Sequence, residues 1–298
     1  MLTLIIPTAA RPAMLRTALA SVASQSAQSK ITRVVVSENG GSRDSEAVCA
    51  EFSALPISYH FRLPTLTPFE HGGLLMRDCP PGEFTAILHD DDWWGPHHLA
   101  NALDALEAQP EAAVYGAGHF VVSAESSMLN CSGNLFPWFG ADFPAFAPVW
   151  RLSRLNVLMA ELLGTAAHYS TLVMRTEALR KSAYVFDLGN AFDNDRMLLF
   201  ALSNFGPLVF NPTPEVFVRN HGRQDCFLFD DQARQQRMCG TTRWMVETCG
   251  KSFDLVAKTF ARRMARCPEA AVTTLQALAM KEWCVPEMKR HLTGPVTV

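Results

Sequence analysis

The chain has 298 residues, which at about 150 residues per domain fits one large unit or two ordinary ones. Apolar residues make up 48% and charged residues 18%, a balance that excludes disorder as the main state. Lys and Arg total 26 against 29 for Asp and Glu, a net charge of −3, so no global basic field recruits nucleic acid.

The apolar run over residues 2–7 has no basic leader before it and no small-residue cleavage site soon after, so nothing directs secretion. Charges or prolines interrupt every apolar stretch short of the roughly 18–20 residues a spanning helix requires. The eight cysteines form no Cys-x-x-Cys and no zinc-spaced quartet. The expectation is a cytoplasmic protein with reduced, mostly buried thiols.

Residues 2–7 and 31–37 read as strands, the second β-branched and ending in the turn signal Glu38-Asn39-Gly40-Gly41. Between them Pro12 suits a first helical position, and Leu15, Leu19, Val22 and Ala23 share one helical face. Strand, helix and strand at this spacing predict a parallel βαβ unit. A helix over 44–54, a strand near 57–61 and a fully apolar strand at 84–88 continue the alternation. A helix opened by Pro96, with Leu99, Leu103 and Leu106 on one face, and a strand at 112–122 follow. The first 122 residues therefore describe an open α/β sheet covered by helices.

Residues 135–150 alternate aromatics and prolines without period and read as a long loop, either an acceptor-covering segment or a strap pinned to the core. Beyond it the pattern predicts a helix near 150–163, a strand at 170–174, a helix at 193–204 and short strands at 208–210 and 215–218. From about residue 226 the chain reads as helical. Residues 251–266 carry five basic and one acidic side chain, with Phe253, Val256, Phe260 and Met264 on the opposite face. That segment is either a peripheral contact with anionic lipid at the inner face of a membrane, over 253–266, or a helix packed on the main domain. Packing is the favoured reading.

Asp90-Asp91-Asp92 follows the buried strand at 84–88, at the sheet edge where α/β proteins bind ligands. Three adjacent carboxylates repel unless a cation or donors neutralise them. Asp90 and Asp92, two apart, are candidate oxygen ligands for Mn²⁺ or Mg²⁺ beside a diphosphate; the plain alternative is a solvated turn with Asp92 capping the next helix. Glu38 and Asn39 end the second strand on the same edge, where they could hydrogen-bond a base or ribose. His97, His98 and His168 have no such context and read as packing or surface residues.

These pieces, in this order, resemble the inverting family 2 glycosyltransferases of the GT-A fold. Ile5-Ile6-Pro7-Thr8 with Arg11-Pro12 is similar to their opening IIPTYNRP, and residues 35–42 to their second-strand nucleotide loop. Gly82-Glu83-Phe84 through His89-Asp90-Asp91-Asp92-Trp93-Trp94 is similar to their GEY…DDDD run. Residues 174–179, 192–199 and 218–222 are similar to FRREAL, EDYDLWLR and YRIHG. The resemblance spans about residues 2–222, with a nucleotide-binding half over 1–122, an acceptor-binding half over 123–224 and a helical C-terminal region over 225–298.

The resemblance implies that Pro7, Thr8, Arg11, Glu38, Asn39, Asp90 and Asp91 hold the nucleotide, that Arg219 neutralises phosphate, and that Asp90, Asp92 and His221 meet the divalent cation. It implies a general base at Asp193, with Asp195 the alternative because Phe192 stands where the family has the Glu of a Glu-Asp pair; the plain reading of both is as acidic residues favoured at a helix start. Trp138, Phe139 and Trp150 are candidates to stack on acceptor sugar faces. The implied donor is a nucleotide-sugar and the acceptor a saccharide, glycoconjugate or lipid-linked hydroxyl. Three positions depart from the family pattern: His89 for the first Asp of the acidic run, Glu38 for an Asp, and Phe192 for the Glu of a Glu-Asp pair. They encourage a competing reading, a non-catalytic nucleotide-sugar-binding scaffold. Nucleotidyl transfer is disfavoured because residues 7–12 contain no glycine to cradle a triphosphate.

Overall fold

The computed structural model describes residues 1–78, 82–132, 149–163, 165–188, 194–222 and 231–249. Ten strands form one sheet: β1 (Leu2–Thr8), β2 (Ile31–Asn39), β3 (Ile57–Arg62), β4 (Phe84–Ile87), β5 (Trp93–Trp94), β6 (Val114–Val122), β7 (Met128–Ser132), β8 (Trp150–Leu152), β9 (Val173–Arg175) and β10 (Leu208–Arg219). Their order is β3-β2-β1-β4-β9-β6-β10-β5, with β7 on β6 and β8 on β10. β3, β2, β1 and β4 run parallel, and β10 runs parallel to β6. β9 is antiparallel to both β4 and β6, so those two share a direction. The carboxyl ends of β1, β2, β4, β6 and β10 therefore meet at one edge, and so does the turn that enters β9.

The helices are α1 (Pro12–Ala23), α2 (Asp44–Glu51), α3 (Pro68–Arg77), α4 (His98–Ala108), α5 (Arg154–Leu163), α6 (Thr176–Ser182), α7 (Asn194–Leu202) and α8 (Asp231–Cys249). Alternating side chains send the inner strands to two cores. Leu4, Ile6, Val34 and Val36 meet Leu15, Leu19, Val48, Leu99 and Leu103 from α1, α2 and α4 on one face. Ile5 and Val35 point the other way, into the core built by α3, α5, α6, α7 and Met245 of α8. This three-layer arrangement explains why the inner strands read as continuous apolar runs.

Several elements differ from the sequence expectation. Helix α3 lies in a stretch where periodicity suggested none; its start is set by a capping box in which Thr67 Oγ1 accepts the Glu70 N–H (3.3 Å) and Glu70 returns the bond to the Thr67 N–H (2.8 Å). Such a cap is worth about 1 kcal/mol. The two short strands expected after residue 208 are one strand, β10, bent by register shifts at Asn211, Pro214 and Val216. Residues 169–171 form a 3₁₀ turn, so β9 starts later than predicted.

Trp150 belongs to strand β8 rather than a helix, 2% exposed and against Phe210, which corrects its expected role as an acceptor platform: neither ring face opens to solvent. Cys49 is buried, Cys249 half-buried and Cys131 exposed, each a free thiol. No described helix is long and apolar enough to cross a membrane. The 135–148 loop with Trp138 and Phe139, the residue Asp193 and the basic segment 253–266 lie outside the described residues.

Candidate active site

Four segments converge at the carboxyl edge of the sheet. The turn after β1 contributes Thr8 and Arg11, the turn after β4 contributes His89 to Asp92, the turn into β9 contributes His168 to Ser170, and the end of β10 contributes Arg219 and His221. Antiparallel β9 is what brings His168 here: its amino end shares the edge with its neighbours' carboxyl ends.

The three aspartates are buried, at 0%, 7% and 1% exposure for Asp90, Asp91 and Asp92, and each meets different partners. The Arg11 guanidinium grips Asp90 through both oxygens, Nη2 to Oδ1 at 2.9 Å and Nε to Oδ2 at 3.1 Å, while Thr8 Oγ1 donates to Oδ2 at 2.7 Å. Asp91 Oδ2 receives Arg11 Nη1 at 3.1 Å and His221 Nε2 at 3.0 Å. Asp92 receives the Ser170 hydroxyl at 2.5 Å and the Arg219 backbone N–H at 3.0 Å, and His168 Nδ1 stands 3.6 Å away.

Burial dominates the electrostatics. It pushes Asp90 up to about 7 despite Arg11, and burial followed by the neighbouring Asp91 charge pushes Asp92 up to about 7. Burial acts on Asp91 too, but His89, Arg11 and the His221 hydrogen bond outweigh it and hold that carboxyl below the usual range. Burial lowers His89 and His168, against the opposing pull of nearby carboxylates.

The residues expected to form one metal set are therefore regrouped. Asp90 is closed off by Arg11 and Thr8, and His221 serves Asp91. Among the described residues, the group of three whose ligand atoms lie within 4.8 Å of one another is His89, Asp92 and His168. Asp92 differs from its two neighbours in meeting a hydroxyl, a backbone amide and an imidazole, so it is the carboxylate of the three that belongs to a group able to hold a metal ion.

The turn is rigidly framed. Trp93 stacks on Phe217 with centroids 5.1 Å apart, and the Arg219 guanidinium lies 4.8 Å over the Trp93 ring. Trp94 Nε1 donates to the Ser170 carbonyl at 2.6 Å. Arg219 also donates to the Asp91 carbonyl at 3.1 Å and the Ala124 carbonyl at 2.7 Å, so it braces the acidic turn.

The nucleotide-side residues are likewise engaged. Glu38, fully buried, accepts the Ala10 N–H at 2.5 Å and holds that residue at φ +53°. Asn39 exchanges two 2.9 Å bonds with the Leu66 backbone. Both side chains shape the loops at the edge where nucleotide contact is expected. Gly40 and Gly41 follow at φ +74° and +77°, where a Cβ would overlap Thr65 or come within 2.9 Å of Ala10, so only glycine lets these loops close together. Pro7 is half-buried within β1.

Two further groups flank the site. Asp195, in the first turn of α7, is near enough that its charge acts on His168, Tyr169 and Glu161. Arg196 pairs with Glu161 at 3.5 Å and donates to the Glu161 carbonyl, anchoring α7 on α5. Burial pushes Glu161 up to about 8. The folded state thus keeps a proton that the unfolded chain releases near its ordinary value, so this group's contribution to stability falls as pH rises toward 8. Glu161→Gln is expected to flatten the decline of melting temperature between about pH 6.5 and 8. An unchanged slope in thermal unfolding across that range would show that Glu161 titrates normally.

No protein-family model matches the chain, and no curated protein matches it. Solved structures do. S. aureus TarS 1-349 in complex with UDP-GlcNAc aligns with a TM-score of 0.57 at 12% identity, covering 99% of this chain and 76% of that one. The same protein in complex with UDP gives 0.54 at 13% identity, covering 95% and 90%. Mannosyltransferase PcManGT from Pyrobaculum calidifontis, in complex with GDP-Man and Mn²⁺, gives 0.54 at 17% identity, covering 95% and 75%. At these identities the likeness is one of fold: a curled open sheet flanked by helices, similar to that of GT-A glycosyltransferases.

Proposed function

We propose that this chain is a metal-dependent glycosyltransferase that moves a sugar from a nucleotide-sugar donor to a hydroxyl acceptor, with inversion of the family 2 type. The observation that carries the reading is the buried Asp90-Asp91-Asp92 turn, set at the carboxyl edge of the sheet, where the ligand atoms of Asp92, His89 and His168 lie within 4.8 Å of one another. Similarity to structures holding UDP-GlcNAc and GDP-Man supports it. In this reading residues 1–122 hold the nucleotide and 123–224 the acceptor, a saccharide or lipid-linked hydroxyl.

Displacement at an anomeric carbon needs charge relief on the leaving diphosphate, a base for the incoming hydroxyl and in-line placement. Asp92 would hold Mn²⁺ or Mg²⁺, which when bound supplies Lewis-acid relief of the diphosphate charge. Arg11 bridges Asp90 and Asp91, offsetting part of their charge, and so helps fix the acidic turn. The Ala10 and Gly40-Gly41 loops bring backbone toward the nucleotide. Asp193, immediately ahead of α7, takes the acceptor proton on the opposite side of the sugar, so a single displacement inverts the centre.

A thermal-shift panel of UDP-, GDP-, dTDP- and CDP-sugars with and without Mn²⁺ tests this. One donor is expected to stabilise the protein only with metal, by about 2.7 kcal/mol at a hundredfold excess over Kd, and Asp92→Asn to abolish that shift. A panel in which no nucleotide-sugar stabilises the protein overturns the reading.

A further inference from the structure

We infer that His89, His168 and Asp92 form a two-imidazole, one-carboxylate centre, which takes transition-metal cations such as Zn²⁺, Co²⁺ or Mn²⁺ in preference to Mg²⁺. The inference deepens the proposed function and rests on that reading for the use made of the cation.

The three ligand atoms lie within 4.8 Å of one another. Donors about 2.0–2.2 Å from a shared cation are separated by roughly 3–4 Å, so a small inward movement completes the set. The three come from two rigid segments joined by one residue. Ser170 Oγ accepts the His89 backbone N–H at 3.1 Å and donates to Asp92 Oδ2 at 2.5 Å. His168 Nδ1 accepts the Ser170 N–H at a long 3.3 Å and faces Asp92 Oδ2 at 3.6 Å. Nδ1 has a single in-plane lone pair, so a cation bound there would replace that long amide bond. Aromatic walls set the ring planes: His89 lies edge-on to His168 at 5.7 Å and to Tyr169 at 5.8 Å, and His119 packs 5.4 Å from His168.

The donor set decides the metal. Mg²⁺ favours an octahedron of oxygens and keeps its waters, whereas imidazole nitrogen suits later transition metals, and two histidines with one carboxylate are a recurrent transition-metal facial set. Arg11 is engaged by Asp90 and Asp91, and Asp92 has no guanidinium partner of its own among the contacts described above.

The test uses the tag-free full chain. Electron spin-echo modulation of bound Mn²⁺ is expected to show ¹⁴N coupling, reduced in His89→Gln and in His168→Gln. Calorimetry should give Zn²⁺ an affinity at least tenfold above Mg²⁺, with each substitution weakening Zn²⁺ more than tenfold. Mn²⁺ bound without nitrogen coupling, or Mg²⁺ bound as tightly as Zn²⁺, overturns the inference. Nucleotide-sugar turnover that runs on Mg²⁺ and survives both substitutions removes the imidazole centre and leaves the transferase reading standing. Nitrogen-coupled Mn²⁺ in a protein that binds no nucleotide-sugar does the reverse.

Discussion

Asp193→Asn is expected to lower transfer by about 10²- to 10⁴-fold while leaving donor affinity within a few-fold of the unaltered protein. The asparagine keeps the size of the side chain but cannot serve as a proton acceptor at neutral pH. Asp195→Asn is the necessary companion. Its carboxylate accepts the Arg196 N–H at 2.9 Å and acts electrostatically on His168, so its loss should be felt at that histidine more than in proton transfer. Single-turnover rates, measured with donor affinity in parallel, separate the two. An equal or greater rate loss in Asp195→Asn moves the base to residue 195, and a loss of donor affinity in Asp193→Asn removes the base assignment.

The inner half of the sheet was legible because parallel strands covered on both faces are apolar throughout, as at residues 2–7 and 84–88. Pro12 likewise marked a helix start that the structure retains. The acidic turn was legible from its place after such a strand. Its partners were not. His168 lies 76 residues from Asp92, and only the antiparallel insertion of β9 between β4 and β6 carries it to the shared edge. A strand was expected at 170–174, but the pattern gives neither its direction nor its neighbours in the sheet. Helix α3 had a readable Thr67-x-x-Glu70 cap, but its apolar face is interrupted by Gly72 and Gly73, where Phe186 packs. Glu38, Asn39 and Arg219 were recognisable as edge residues. Whether such a side chain faces a ligand or its own scaffold depends on loops many residues away, here those carrying Ala10, Leu66 and Ala124.

Glu215→Ala is expected to destabilise the protein by about 3–5 kcal/mol, the usual cost of removing one partner from a buried charged network. Its carboxylate joins three elements: Oε2 accepts from His98 Nδ1 at 3.0 Å and Tyr115 Oη at 2.6 Å, and Oε1 accepts from Asn211 Nδ2 at 2.8 Å and from Asn101. His98, which the sequence placed among packing or surface residues, is one pole of this network. Truncation would leave buried donors unmatched in α4, β6 and β10 together. The network sits where β10 shifts register, and the Glu215 carbonyl also accepts the Gly95 N–H at 2.8 Å just after the acidic turn. It therefore sets the phase in which β10 delivers the Arg219 amide to Asp92 and His221 to Asp91. Thermal unfolding should fall by roughly 6–20 °C, at about 2–4 °C per kcal/mol. Metal-dependent donor binding should weaken in the protein that remains folded. A loss under about 1 kcal/mol in urea titration would mean that the network is solvated and that β10 is phased by its backbone ladder alone.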